Sequence, residues 1–148
     1  MGLELTVQRA ACSPGLPSDA EFETWVRAAL EGRREVAELV IRIVADDEGR
    51  TLNATWRGRE RATNVLSFPA DLPADLGLPV LGDLVLCAPI VAAEAAEQDK
   101  PLADHYAHLT VHGVLHLLGF DHEDDAEAER MEAEERRILA GLGIPDPY

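Results

Sequence analysis

One stretch constrains this chain more than any other part of its 148 residues: DHYAHLTVHGVLHLLGFDH, from Asp104 to His122, which holds all five histidines. Pro101 opens a helix that runs to Leu118, and Gly119 closes it as a C-cap. His105, His108, His112 and His116 then lie along one helical face, with His122 just past the break. A lone helical histidine is usually packed or turned to solvent. Here spacing changes the reading, because His112 and His116 stand at i and i+4, adjacent on the helix surface, where two imidazoles can reach one ion.

A third ligand could come from His108 or His122, and helix geometry separates them. Eight residues part His108 from His116, about 12 Å at ~1.5 Å rise per residue, too far to share one tetrahedral ion with His112 between them. His108 is therefore expected to support the site or the helix. Gly119 can take positive φ without steric cost and turn the chain back, bringing His122 toward the pair. Three histidines and a water make an open, catalytic type of zinc site. HGVLHLLGFDH also matches the metzincin pattern HExxHxxGxxH at every ligand and at the glycine, except that Gly113 stands where the protease has its glutamate base. Met131, in an acidic helix, offers no Met-turn. The ligand set predicts a metal-dependent hydrolase; position 113 argues against a peptidase.

Charge narrows the partners. Thirteen basic against 28 acidic residues give −15, which argues against non-specific coating of nucleic acid or anionic lipid. The distribution is uneven. Residues 120–148 carry ten acids and three bases, whereas residues 50–61 carry Arg50, Arg57, Arg59 and Arg61 against Glu60 alone. No apolar run approaches the ~20 residues of a membrane span, and the N-terminus lacks the pattern of a secretory signal. Cys12 and Cys87 form no CxxC, so neither a disulfide framework nor a thiolate zinc site is expected.

Hydropathy patterning gives a strand over 3–10, then a helix over 19–31 started by a Ser18–Glu21 capping box, with Phe22, Trp25, Val26 and Ala29 on its apolar face. AELVIRIVA (37–45) reads as a strand, followed by a short helix through Leu52 and Trp56 to Gly58. TNVLSFP is extended, 70–81 a surface loop and GDLVLCA a strand. Helices from Pro89 to Gln98 and from Asp124 to Ala140 flank the histidine helix. The class is α+β: a small mixed sheet of about four strands packed against helices, with the His-bearing helix central, in one domain over 1–148.

HGVLHLLGFDH, with LNATWRGRERATNVLSFPA upstream and LGDLVLCA between them, resembles the YbeY family of bacterial metal-dependent endoribonucleases, and the likeness runs over nearly the whole chain. It implies one zinc ion per chain on His112, His116 and His122. It further implies cleavage of single-stranded RNA, maturation of the 3′ end of precursor 16S ribosomal RNA, ribosome quality control, and a cytoplasmic location away from membranes. The small ribosomal subunit with its platform proteins and the GTPase Era are the partners it implies. By the family pattern Arg57 is the catalytic arginine beside the metal, and with His112 it carries the chemistry. Trp56 and Phe120 stand where tyrosine is common in the family, keeping a ring and losing a hydroxyl.

Elementary chemistry agrees: phosphodiester cleavage gathers negative charge on the non-bridging oxygens, which a divalent cation and a planar guanidinium are suited to hold. Arg57 lies in the one basic segment. Arg59 and Arg61 are candidate phosphate contacts or plain surface arginines. Asn64, Thr63 and Ser67 could line the groove or serve turns and strand edges. Asp83 is a candidate docking residue, or a strand-start carboxylate capping nearby amides. Two other functions fit parts of the pattern: a ribosome-assembly binding factor with a structural metal, and a metallopeptidase.

Overall fold

A computed structural model describes residues 2–10, 15–34, 36–45, 64–69, 80–120 and 124–147. Alternation builds the sheet. In β2 (Val36–Val44), Ala37, Leu39, Ile41 and Ile43 are at most 2% exposed, while Glu38, Val40 and Arg42 between them point to the other face. β1 (Gly2–Arg9) runs parallel to β2 in unbroken register from Gly2 opposite Val36 to Arg9 opposite Ile43. β4 (Val80–Cys87) runs parallel on the other side of β2, and β3 (Val65–Pro69) closes that edge antiparallel to β4. The order β1-β2-β4-β3 is the small mixed sheet expected from the sequence.

Several boundaries shift from expectation by a residue or two. β4 starts at Val80, inside the expected loop, because Val80 pairs with Glu38 and Leu81 is buried. The following helix, α2 (Ala88–Glu97), starts one residue before Pro89, which occupies its first turn, where a missing N–H leaves no hydrogen bond broken. The helix expected through Leu52 and Trp56, residues 70–79 of the loop, Cys12, Arg57, Arg59, Arg61 and His122 lie outside the described residues.

α1 (Asp19–Leu30) begins with the expected capping box between Ser18 and Glu21 and buries Phe22, Trp25, Val26, Ala29 and Leu30. α3 (Leu102–Leu117) bears the histidines and touches α1, α2, β3, β4 and α4 (Asp125–Gly141). Phe22 meets Tyr106 of α3 edge to face at 6.2 Å and Trp25 of its own helix at 5.4 Å. Burial pushes the Tyr106 phenol up to about 12. Leu84 and Leu86 of β4 belong to this main core, whereas Val85 and Cys87, on the opposite face, join Val44 and Leu66 in a smaller cluster.

α3 stops in a Schellman motif: Gly119 has φ 102°, its N–H donates to His116 O at 3.0 Å, and the Phe120 N–H donates to Leu115 O at 3.0 Å. α4 begins on Asp124, whose carboxylate accepts from the Glu127 N–H at 2.8 Å. Among the described residues no helix is long and apolar enough to cross a membrane.

α3 lies tight against β4 at Gly113, where an added Cβ would stand 2.6 Å from Leu84 Cδ2. Leu84 is fully buried and has little room to yield. Gly113→Val is therefore expected to destabilise the protein by about 1–3 kcal/mol through overpacking. Urea titration of metal-free protein should show the midpoint falling with an unchanged slope.

Candidate metal centre

The four histidines of α3 rise from core to surface. Side-chain exposure is 4% at His105, 13% at His108 and 23% at His112, so the stripe opens toward the C-terminal end of the helix. There the His112 and His116 rings sit with centroids 4.7 Å apart and planes tilted by 77°. Regular helix from Leu102 to Leu117 brings the two together without help from any loop.

What faces His112 from the other side is a carboxylate. Glu135 of α4 is completely buried, and its Oε1 lies 2.6 Å from His112 Nδ1 and 3.5 Å from His108 Nε2. A buried carboxylate needs partners that donate to it. The contact therefore puts the His112 proton on Nδ1 and makes Nε2 the basic nitrogen, the one suited to a metal. His108, directed at the same carboxylate, belongs to this supporting layer. Carboxylate, imidazole and an i+4 imidazole beside them fit a divalent transition metal. Among the described residues these side chains do not themselves close a set of three ligands around one point.

Deeper in the helix, His105 Nε2 lies 2.9 Å from Glu94 Oε1, and Asn64 Nδ2 donates to the same oxygen at 3.0 Å. Burial holds His105 below its ordinary range despite Glu94. The ring then donates to Glu94 through Nε2, and its buried Nδ1 has no hydrogen-bond partner among the described residues.

The other expected residues divide. Ser67 Oγ donates to Gly113 O at 3.3 Å, fastening β3 to the turn of α3 that carries His112. Asn64, besides holding Glu94, accepts the Cys87 N–H at 3.0 Å through its carbonyl, a strand-edge role. Asp83 does not start its strand: it is the fourth residue of β4, opposite Val40 and Phe68, so it cannot cap the strand's first amides. It is exposed and alternates with Leu84, so it projects from the sheet face away from α3. Gly113, where a metzincin has its base, faces β4 and not the histidine pair.

Glu135 and Glu94 carry no motif. The signal for Glu135 is positional: it stands four residues after Met131 and three before Ile138, on the buried stripe of α4, where an acid without a partner would not survive.

The sequence model described as Endoribonuclease YbeY matches residues 15–143. Endoribonuclease YbeY of Xanthomonas axonopodis pv. citri is 61% identical over 99% of this chain and 93% of its own length. The protein of the same name from Stenotrophomonas maltophilia is 59% identical over the same shares. The solution structure of TM1509 from Thermotoga maritima superposes with a TM-score of 0.61 at 22% identity, over 93% of this chain and 92% of that one, a likeness of fold. A match that takes in three strands of the sheet, the histidine helix and the α4 glutamate behind it leaves one assignment: the chain belongs to the YbeY endoribonuclease family.

Proposed function

We propose that this protein is a zinc-dependent endoribonuclease that cleaves single-stranded RNA at a site built on His112, His116 and His122. The observation that carries the proposal is the Glu135–His112 contact, since a buried carboxylate that fixes the imidazole tautomer is the arrangement metal-ligating histidines need. Zinc, when bound, supplies a Lewis acid that steadies negative charge on the phosphate oxygens. The chain's own part is to hold two imidazoles in fixed orientation and to keep water and substrate access at the open end of α3. Arg57 serves as the guanidinium that clamps the phosphate where charge develops, with Arg59 and Arg61 as backbone contacts.

The family relationship supports a biological setting in maturation of the 3′ end of 16S ribosomal RNA and in ribosome quality control in the cytoplasm. The small-subunit platform and Era are the partners of that reading. A net charge of −15 supports it as well, because a chain this acidic gains little from free RNA alone and benefits from a partner that presents the strand. Asp83, exposed on the sheet face away from α3, is available to such a partner.

Chelation should abolish cleavage of a short single-stranded RNA, and added zinc should restore it; activity that survives complete metal removal would refute the proposal. Duplex RNA should resist.

Arg57→Lys keeps the charge and loses the bidentate fork, so turnover should fall roughly a hundredfold, about 3 kcal/mol, with melting temperature and zinc content near wild type. Arg61→Ala, which removes only a backbone contact, is the comparison and should lose far less than Arg57→Lys.

Glu135→Gln retains shape and removes the charge behind His112. Zinc affinity, measured by competition with a chromogenic chelator, should drop about tenfold or more.

A further inference from the structure

Arg33 lies outside every motif of the family resemblance. It follows Gly32 at the end of α1, and its side chain is only 20% exposed. Three elements meet on its guanidinium. Nη1 donates to Ala29 O, the carbonyl of the last turn of α1, at 3.4 Å. Nη2 donates to the Glu134 carboxylate of α4. The Phe120 ring, directly after the Gly119 turn, lies under the guanidinium carbon at 5.5 Å. Glu134 is held from its other side by Arg137, at 2.8 Å, and the two arginines keep its carboxyl below the usual range, Arg137 the more strongly.

Glu134 is the neighbour of Glu135, and Phe120 is the residue whose N–H closes the Schellman turn that ends the histidine helix. One planar cation thus joins the end of α3 to the stretch of α4 from which Glu135 reaches His112. We infer that Arg33 is a positioning residue for the metal centre: by bridging Phe120 and Glu134 it sets the separation of α3 and α4 at which the Glu135–His112 hydrogen bond forms. The inference rests on the reading of His112 and His116 as metal ligands. Lysine cannot replace Arg33, since a point charge cannot stack on a ring and pair with a carboxylate in one plane.

The test uses full-length protein, zinc as the probe and two readouts. The first is the zinc dissociation constant from chelator competition; the second is solvent exchange of the His112 Nδ1–H proton in metal-free protein, followed by NMR. Arg33→Met, which keeps an apolar stem, and Phe120→Leu, which removes only the ring, should each weaken zinc binding about tenfold and speed that proton's exchange. Arg33→Lys should fall between them and wild type. Arg137→Met removes the other partner of Glu134 without touching Phe120 and should leave both readouts near wild type. His116→Ala tests the underlying reading: it should lose zinc outright, and unchanged binding there would overturn the ligand assignment. If His116→Ala loses zinc while Arg33→Met and Phe120→Leu bind it like wild type, the positioning role is wrong. A lower melting temperature in Arg33→Met with unaltered His112 proton exchange would likewise reduce Arg33 to a structural tie.

Discussion

A carboxylate stripped of water is among the most demanding groups a fold can contain, and in this protein Glu135 is one. Its desolvation is offset only if donors converge on it, and His112 and His108 of α3 are the two side chains directed at it. The dependence runs both ways. Without Glu135 the His112 ring would lose the hydrogen bond that selects its tautomer. Without the histidines Glu135 would lose the two imidazoles directed at its carboxylate.

Among the described residues, several further contacts tie α3 to its neighbours beside that bond. The absent side chain at Gly113 lets the helix settle on Leu84, and the Ser67 hydroxyl pins the Gly113 carbonyl from β3. Asn64, Glu94 and His105 repeat the carboxylate–imidazole theme one level deeper, tying the start of β3 to α2 and α3. These contacts come from β3, β4, α2 and α3 itself. Rigid first and supporting layers of this kind are what preorganised catalysis requires.

Much of this was legible in the sequence, for identifiable reasons. The capping box at Ser18, the apolar face of α1 and the alternation of β2 are local patterns with a fixed period, and each appears where its period places it. Gly119 was legible because only a residue without Cβ suits its φ of 102°. The start of β4 was hidden, since Val80 and Leu81 follow a proline-rich stretch and are drawn into the sheet by pairing with β2, a contact no local window contains. Glu135, Glu94 and Arg33 were hidden for the same reason. Each is an ordinary charged residue in a chain rich in them, and only the tertiary approach of another helix or turn gives it a task. Asp83 shows the converse, a residue conspicuous in its motif whose place in mid-strand directs it away from the histidines.

The strand that ends at Pro69 also bears on how this protein behaves in a crowded solution. β3 is five residues long, forms one border of the sheet and finishes on a residue that has no N–H to offer a neighbour. A short border closed by proline makes a poor template for a further strand, whether from a second molecule or from a half-folded chain. The same segment that fastens the histidine helix through Ser67 thereby guards this border of the sheet against edge-to-edge association.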